Sequence, residues 1–471
     1  MRAASRTMSG AARVFISRES PPMPPPRRPR TPSAPPSGLA ARDLAVDILS
    51  AVLDRGRPLD SAFDAAGERA AGLAPRDRAF ARLVALTALR RKGELDAVIA
   101  SFLERPLPKD AGRAPAILLS AAAQLLCLDT PPHAAISLAV DQCRADKKAQ
   151  RFTKLANAVL RRVSTAGRDV LAGLDAVTAN VPAHLIARWT SAYGSEIARA
   201  IAAASLKEPA LDLSVTADAA AWAERLGGIV LPTGSVRIAH AGRIEELAGY
   251  EDGAWWVQDA AAALPARLLG DVADKDVADL CAAPGGKTAE LAAAGARVTA
   301  VDQSGPRLQR LKDNLARLKL GADVVEADVT SWAPERAFDA VLLDAPCSAT
   351  GTLRRHPDIL HLKRKESAGD RIRLQRALLD RAADLVRPGG LLVYCTCSLE
   401  PEEGEDVVAA FLRDAPAFTR DPVAAGEAGI EAGWLTPLGE LRTLPSYLPN
   451  ADDGMAGLDG FFAARLRKGA A

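Results

Sequence analysis

The sequence predicts a multidomain chain: an all-α N-terminal domain, a small α+β middle region and a C-terminal α/β Rossmann-like domain with a mostly parallel sheet. Three observations predict it. Apolar residues recur at helical spacing from Ala40 to about residue 165. From about residue 255, short β-type runs alternate with helical stretches, the pattern of a parallel sheet covered on both faces. The text between these parts is mixed. The 471 residues suffice for roughly two to four domains, and a hydrophobic share of 48% with 25% charged residues supplies ordinary soluble cores.

Residues 1–37 carry seven Arg, one Glu and nine Pro, and this composition reads as a disordered Pro/Arg-rich tail; the Arg- and Ser-rich first twenty residues leave a transit peptide open. In "ARDLAVDILSAVLD", Leu44, Ile48, Leu49, Val52 and Leu53 share one helical face. Similar stretches, separated by short Pro or Gly turns, extend the helical domain over 38–165. Residues 168–250 form a linker and small α+β region, with "PAHLIARWTSAY" and "EIARAIAAASL" helical and "LDLSV" a strand. The C-terminal domain spans 251–468. Its strands are read at 277–281, 298–302, 323–327, 339–344 and 391–395, its helices at 286–294, 305–319 and 370–386, and "DGFFAARLR" (459–467) as a late antiparallel edge strand.

The net charge of +2 excludes a globally basic nucleic-acid binder, so such affinity must come from local patches. Six cysteines, at 127, 143, 281, 347, 395 and 397, do not form a disulfide framework and point to a reducing, cytoplasmic setting. No apolar run is long enough to span a membrane. Cys127 and Cys143 on helices read as small core residues. Cys395-x-Cys397 lacks a second cysteine pair, and the five His are scattered, so no metal site is expected.

"DLCAAPGGKTAEL" (279–291) resembles the end of a phosphate-binding loop, but Cys281 stands where such a loop has its first Gly. "VLLDAP" could serve as a Walker B strand, which keeps an NTPase reading open. The alternative is a strand-to-helix turn binding a ligand at the carboxyl ends of the strands, with Gly285 and Gly286 permitting close backbone approach. Asp302, Asp328 and Asp344 then end the next three strands. Three carboxylates on one rim suit the ribose hydroxyls, adenine amine and ammonium of S-adenosyl-L-methionine and repel a triphosphate. Lys287 becomes a candidate for the cofactor's carboxylate or a nearby polar network.

"LLDAPCSATGTLRRHPDI" (342–359) and "VYCTCSLEPEE" (393–403) each put a cysteine just past a strand, on that same rim. Pyrimidine C5 is too weakly nucleophilic to take a methyl group directly. A thiolate adding to C6 makes C5 enamine-like, and a base later removes the C5 proton so that the thiolate can leave. The reaction needs a thiolate, a partner that neutralises the ring at N3 and a base, and Cys397, Cys347 and Asp344 provide candidates. A helix beginning near Glu402 would lower a nearby thiol pKa, while Glu402, Glu403 and Glu405 would oppose it.

These motifs, with "DGFFAARL", resemble the Sun/Fmu (RsmB-like) family of RNA cytosine-C5 methyltransferases over about 250–468. "PRDRAF", "FLERPL", "PPHAAISLAV" and "LANAVLRR" resemble the RNA-binding NusB-like domain. The pairing resembles bacterial enzymes acting on small-subunit (16S) rRNA. The resemblance implies that Cys281, Ala282, Ala283, Pro284, Gly285, Gly286 and Lys287 line the cofactor, with Asp302, Asp328 and Asp344 as further contacts. It implies Cys397 as nucleophile, Cys347 assisting release and Asp344 at base N3. DNA cytosine methyltransferases use the Pro-Cys thiol as nucleophile, so the two classes predict opposite roles. The family often reads Pro-Glu-Glu-Asn where this chain has Gly404.

The partner implied is RNA, and a cytoplasmic monomer without membrane or metal is expected. Residues 354–376 hold eight Lys/Arg against three Asp/Glu, a candidate phosphate-binding stretch. A non-catalytic RNA-binding or assembly factor remains the rival; its two intact cysteine motifs argue against it.

Overall fold

Helical periodicity becomes a buried stripe in the first part of the chain. The computed structural model describes residues 38–239, 242–362 and 367–470; the Pro/Arg-rich segment 1–37 and the tail reading made for it lie outside them. Seven helices follow: α1 (Leu39–Leu53), α2 (Leu59–Ala71), α3 (Pro75–Arg90), α4 (Lys92–Ser101), α5 (Ala114–Leu126), α6 (Pro132–Ala145) and α7 (Thr153–Ala172). On α1, Leu44, Ile48, Leu49 and Val52 are buried as the spacing predicts, and Leu53 packs at the margin. They meet the nearly all-apolar α5 in one core. α7 runs on to Ala172, past the predicted end at 165, because its apolar residues keep their period through Val163 and Val170.

Three helices, α8 (Ala176–Asn180), α9 (Ala183–Tyr193) and α10 (Ser195–Ser205), lead into a small antiparallel sheet. It comprises β1 (Leu211–Val215), β2 (Ile229–Val230), β3 (Val236–Ile238) and β4 (Trp255–Val257) in the order β2-β3-β1-β4, with α11 (Ala219–Leu226) packed on it. Its fourth strand lies beyond residue 250.

The last part holds α12 (Ala260–Arg267), β5 (Asp276–Leu280), α13 (Gly286–Ala293), β6 (Arg297–Asp302), α14 (Gly305–Leu318), β7 (Asp323–Glu326), β8 (Phe338–Asp344), α15 (Ala368–Leu385), β9 (Val386–Thr396), α16 (Glu405–Asp414), β10 (Phe418–Arg420), β11 (Leu441–Thr443) and β12 (Phe461–Lys468). Its eight-stranded sheet has the order β10-β12-β9-β8-β5-β6-β7, with β11 also on β12. β5 to β9 are mutually parallel, and the pairings of β12 are antiparallel. The chain runs from β5 out to β7, then returns to the other side of β5 with β8. That reversal creates the crevice where open α/β sheets hold ligands.

The late strand is antiparallel as expected, but it is not an edge. β12 lies between β9 and the β10 and β11 strands. Phe462, Ala464 and Leu466 enter the core on one sheet face, and Phe461 and Ala463 the core on the other. A strand apolar on both faces belongs inside a sheet.

Candidate active site

The 281–287 turn leaves β5 at the crevice. Cys281 takes a positive φ of 59°, uncommon without glycine and characteristic of functional turns. Burial pushes its thiol pKa up. The amide of Ala282 donates to Val301 and that of Ala283 to Oδ2 of Asp302 at 3.2 Å, clamping the turn to the end of β6. Gly285 has φ 102°, and a Cβ there would sit 2.7 Å from Leu311 on α14; one on Gly286 would sit 3.3 Å from the Gln258 amide. Gly285 is thus required by backbone and packing within the protein, beyond any approach to a ligand, whereas a side chain at Gly286 would need only the Gln258 amide to give way.

Lys287 and Thr288 are not arranged for phosphate and magnesium. The Lys287 ammonium lies 2.8 Å from Oδ2 of Asp344 and over the Phe461 ring. Burial works against its charge, but Asp344 beside it holds it protonated. Thr288 Oγ1 donates at 2.6 Å to fully buried Asp279, whose pKa burial pushes up to about 7. With both Walker-type side chains engaged internally, the near-Walker text does not form a nucleotide loop.

Asp302, 3% exposed at the end of β6, also accepts from the Ser304 amide and faces Arg307 Nη1 at 3.5 Å. Asp328 is not a strand end. β7 stops at Glu326, and Asp328 accepts from the Thr330 amide and hydroxyl at 2.9 and 2.7 Å, closing an Asx-type turn. The Thr330 hydroxyl and amide bonds bring its pKa down. The carboxylate registered beside Asp302 is Glu326.

The two cysteine motifs converge. Asp344 at the end of β8 is in register with Cys395 on β9, and Cys395 Sγ lies 3.6 Å from Asp344 Oδ1. Just beyond both strands, Cys347 Sγ and Cys397 Sγ are 3.4 Å apart. Cys397 lines a cleft of about 880 Å³, together with Pro284 and Arg307 from the cofactor side. The neighbouring Cys397 sulfur and burial together push the Cys347 pKa well up. Cys395 is buried, and its pKa is pushed up by the same desolvation. Among the described residues, no group of three or more His, Cys, Asp or Glu is arranged to hold a metal ion.

Known proteins are similar to this chain in sequence and in fold. The family model described as 16S rRNA methyltransferase RsmB/F matches residues 266–467, and that of the NusB family matches 39–165. A ribosomal RNA small subunit methyltransferase B from Xylella fastidiosa is 37% identical over 92% of this chain and 98% of its own length. The chain belongs to the 16S rRNA methyltransferase RsmB/F family. It is an S-adenosylmethionine-dependent rRNA methyltransferase with a NusB-type helical domain. The protein of the same name from Cronobacter sakazakii is 33% identical over 91% of this chain and 98% of its own. In fold the chain is similar to PH0851, with a TM-score of 0.72, 24% identity and 93% and 99% of the two chains covered. It is also similar to NSun6 from Pyrococcus horikoshii solved with SFG, at 0.50, 21%, and 61% and 98%.

In this RsmB/F-family chain the three acids expected to oppose the helix at Cys397 each meet an arginine. Glu402 meets Arg188 at 3.2 Å, Glu403 accepts from Arg371 at 2.8 Å, and Glu405 meets Arg442. Burial disfavours charge on Glu403, yet hydrogen bonds from Ser348, Ser398 and Arg371 bring its pKa below the ordinary carboxylate value. The α-helix starts only at Glu405, after a single 3-10 turn at Pro401–Glu403. Gly404 leaves no room for the Asn common in the RsmB/F family: a Cβ there would meet the Phe462 ring at 2.8 Å and Arg442 at 2.9 Å.

Among the described residues, the arginines of the basic stretch are mostly engaged within the protein. Arg354 is 2% exposed and donates to Ala456 O. Arg355 bridges Asp259 at 2.6 Å and Asp459 at 3.2 Å. Arg371 is held by Glu403 and Arg376 by Asp380 and Asp414. Phosphate binding is therefore not available to Arg354 and Arg355, whose charge is balanced by acids distant in sequence. Arg373 is the exposed one among the described arginines of this stretch; Lys363, Arg364, Lys365 and Glu366 lie outside the described residues.

Sequence reasoning missed Arg307, whose guanidinium bonds Ala283 O beside Asp302; its place in the first turn after a strand-end acid was the available signal. It also missed Glu400, which gathers Ser348, Thr350 and Ser398 beneath the two thiols.

Proposed function

We propose that this chain methylates cytosine C5 in 16S rRNA through a covalent bond between Cys397 and cytosine C6. The observation that carries the reading is the pair of thiols 3.4 Å apart, of which Cys397 lines the cleft. The Cys397 thiolate bonds to C6 while N3 takes a proton from the Lys287–Asp344 pair, and the C5–C6 electrons are freed at C5. The chemistry that bound S-adenosylmethionine supplies is a methyl group on a sulfonium, transferred to C5 with departure of a neutral thioether. A base then removes the C5 proton; those electrons re-form C5=C6, the C6–S bond breaks and N3 returns its proton. Cys347 assists this release.

The cofactor fits the donor set: a buried strand-end carboxylate at Asp302, the clamped turn from Cys281 to Lys287, and Asp344 at the end of β8, with Asp328 as a further contact in this reading. Asp302→Ala is expected to raise the Kd for S-adenosylmethionine by about thirtyfold, the loss of charged hydrogen bonds, measured by calorimetry. The division into a helical RNA-binding domain (38–165), a connecting α+β region (168–250) and a methyltransferase domain (251–468) belongs to this reading, as does a cytoplasmic monomer. Among the described residues no helix is long and apolar enough to cross a membrane. The deciding experiment methylates an unmodified 16S rRNA transcript and analyses its nucleosides by mass spectrometry, with bisulfite sequencing for position. 5-Methylcytidine is expected. Methylation of another atom, or no transfer as a non-catalytic assembly factor would give, refutes the reading.

A further inference from the structure

Asp54, Arg55, Gly56 and Pro58 of the α1–α2 loop, with Leu59 and Asp60 at the start of α2, line the cleft together with Cys397, Arg57 lying next to them in the loop, and one carboxylate from the far side holds this segment there. α2 begins at Leu59, preceded by Pro58, whose side chain has no oxygen to cap a helix. The Leu59 amide instead donates to Oδ2 of Asp358 at 2.9 Å, across the whole chain from the segment that follows the Cys347 loop. Leu59 is fully buried and Asp358 is 3% exposed. A negative charge at a helix N-terminus is stabilised by the free amides and the macrodipole. The other oxygen of Asp358 is buried without a hydrogen-bond partner among the described residues, and such a group asks for a reason to be where it is.

Further contacts tie the helical domain to both flanks of the cleft. On the catalytic side, His361 Nε2 is 2.8 Å from Leu89 O and Arg90 donates to Arg354 O at 2.8 Å. On the cofactor side, Asp64 of α2 meets Arg310 of α14 at 2.6 Å. The loop carries exposed Arg55 and Arg57; Asp54 is exposed beside them, and Asp60 is paired with Arg82.

We infer that Asp358 is a positioning residue for RNA. By capping α2 from the opposite side, it fixes the Asp54–Asp60 segment as a wall of the cleft, with Arg55 and Arg57 on phosphates flanking the target nucleotide. This rests on the reading that the base reaches Cys397 through the cleft.

The test compares full-length wild type with Asp358→Ala and Asp358→Asn on an unmodified 16S rRNA transcript. Asp358→Ala is expected to raise KM for RNA about tenfold, with kcat and the Kd for S-adenosylmethionine within about twofold of wild type. The slope of log KM against log salt should fall by about one to two, as two phosphate contacts are lost. Asp358→Asn keeps an acceptor for the Leu59 amide and is expected to stay within about threefold of wild-type KM. The double variant of Arg55→Ala and Arg57→Ala, with Asp358 intact, should reproduce the loss of slope. An unchanged KM, an unchanged salt slope, or a joint fall of kcat and cofactor affinity overturns the proposal. Both thiols are present in every variant, so the result is independent of which cysteine attacks.

Discussion

Cys397→Ala is expected to lose methyl transfer by about 10⁴-fold or more, the scale on which removal of a covalent nucleophile acts, measured as labelled methyl incorporated into a 16S rRNA transcript. The structure gives the substitution little else to disturb. Cys397 is half-buried at the mouth of β9, and its backbone carbonyl still accepts from the Gly351 amide. Binding of S-adenosylmethionine should persist, because the turn after β5 and Asp302 do not depend on that sulfur. Loss of cofactor binding together with activity would mean a folding defect and leave Cys397 without its assigned role.

Cys347→Ala should behave in the opposite way. Attack and methyl transfer proceed, but release stalls, so the variant is expected to accumulate a protein–RNA adduct that survives denaturing electrophoresis. Multiple turnover should fall by about 10² to 10⁴, the usual worth of a proton-transfer group, while the first turnover remains. The half-buried thiol lies 3.4 Å from Cys397, and the small void left by Ala costs about 1 kcal/mol. An adduct formed by Cys397→Ala instead would exchange the two roles. Both thiols sit on the same rim, so only trapping distinguishes the two geometries.

Much of this site was legible because its chemistry is carried at strand ends, where short apolar runs and the next charged or sulfur residue are adjacent in the text. Cys281, Asp302, Asp344, Cys347 and Cys397 all follow directly from that grammar, and β5, β6 and β8 begin and end within about a residue of their sequence reading. Charge was less legible. Arg354 and Arg355 look like a phosphate patch until Asp259 and Asp459, distant in the chain, arrive beside them. Asp328 and Glu326 exchange places because a local Asx turn decides where β7 stops. The edge reading of β12 failed for a different reason: a strand's neighbours are a property of topology, although its unbroken apolar run already pointed inward. Asp358 capping α2 across the chain could not be read from either segment alone.

The interior place of β12 governs when β9 is paired on both sides. β9, the strand that ends beside Cys397, is parallel to β8 on one side and pairs with β12 on the other, with Cys395 opposite Ala463 and Thr396 opposite Phe462. During synthesis β9 emerges well before its second partner. Domains made from the N-terminus fold as units, and here the helical domain and the cofactor turn are complete while one flank of the thiol strand is still bare. Contacts between distant segments also close late in folding. A chain still lacking β12 would hold Cys397 at the end of a strand paired on one side only.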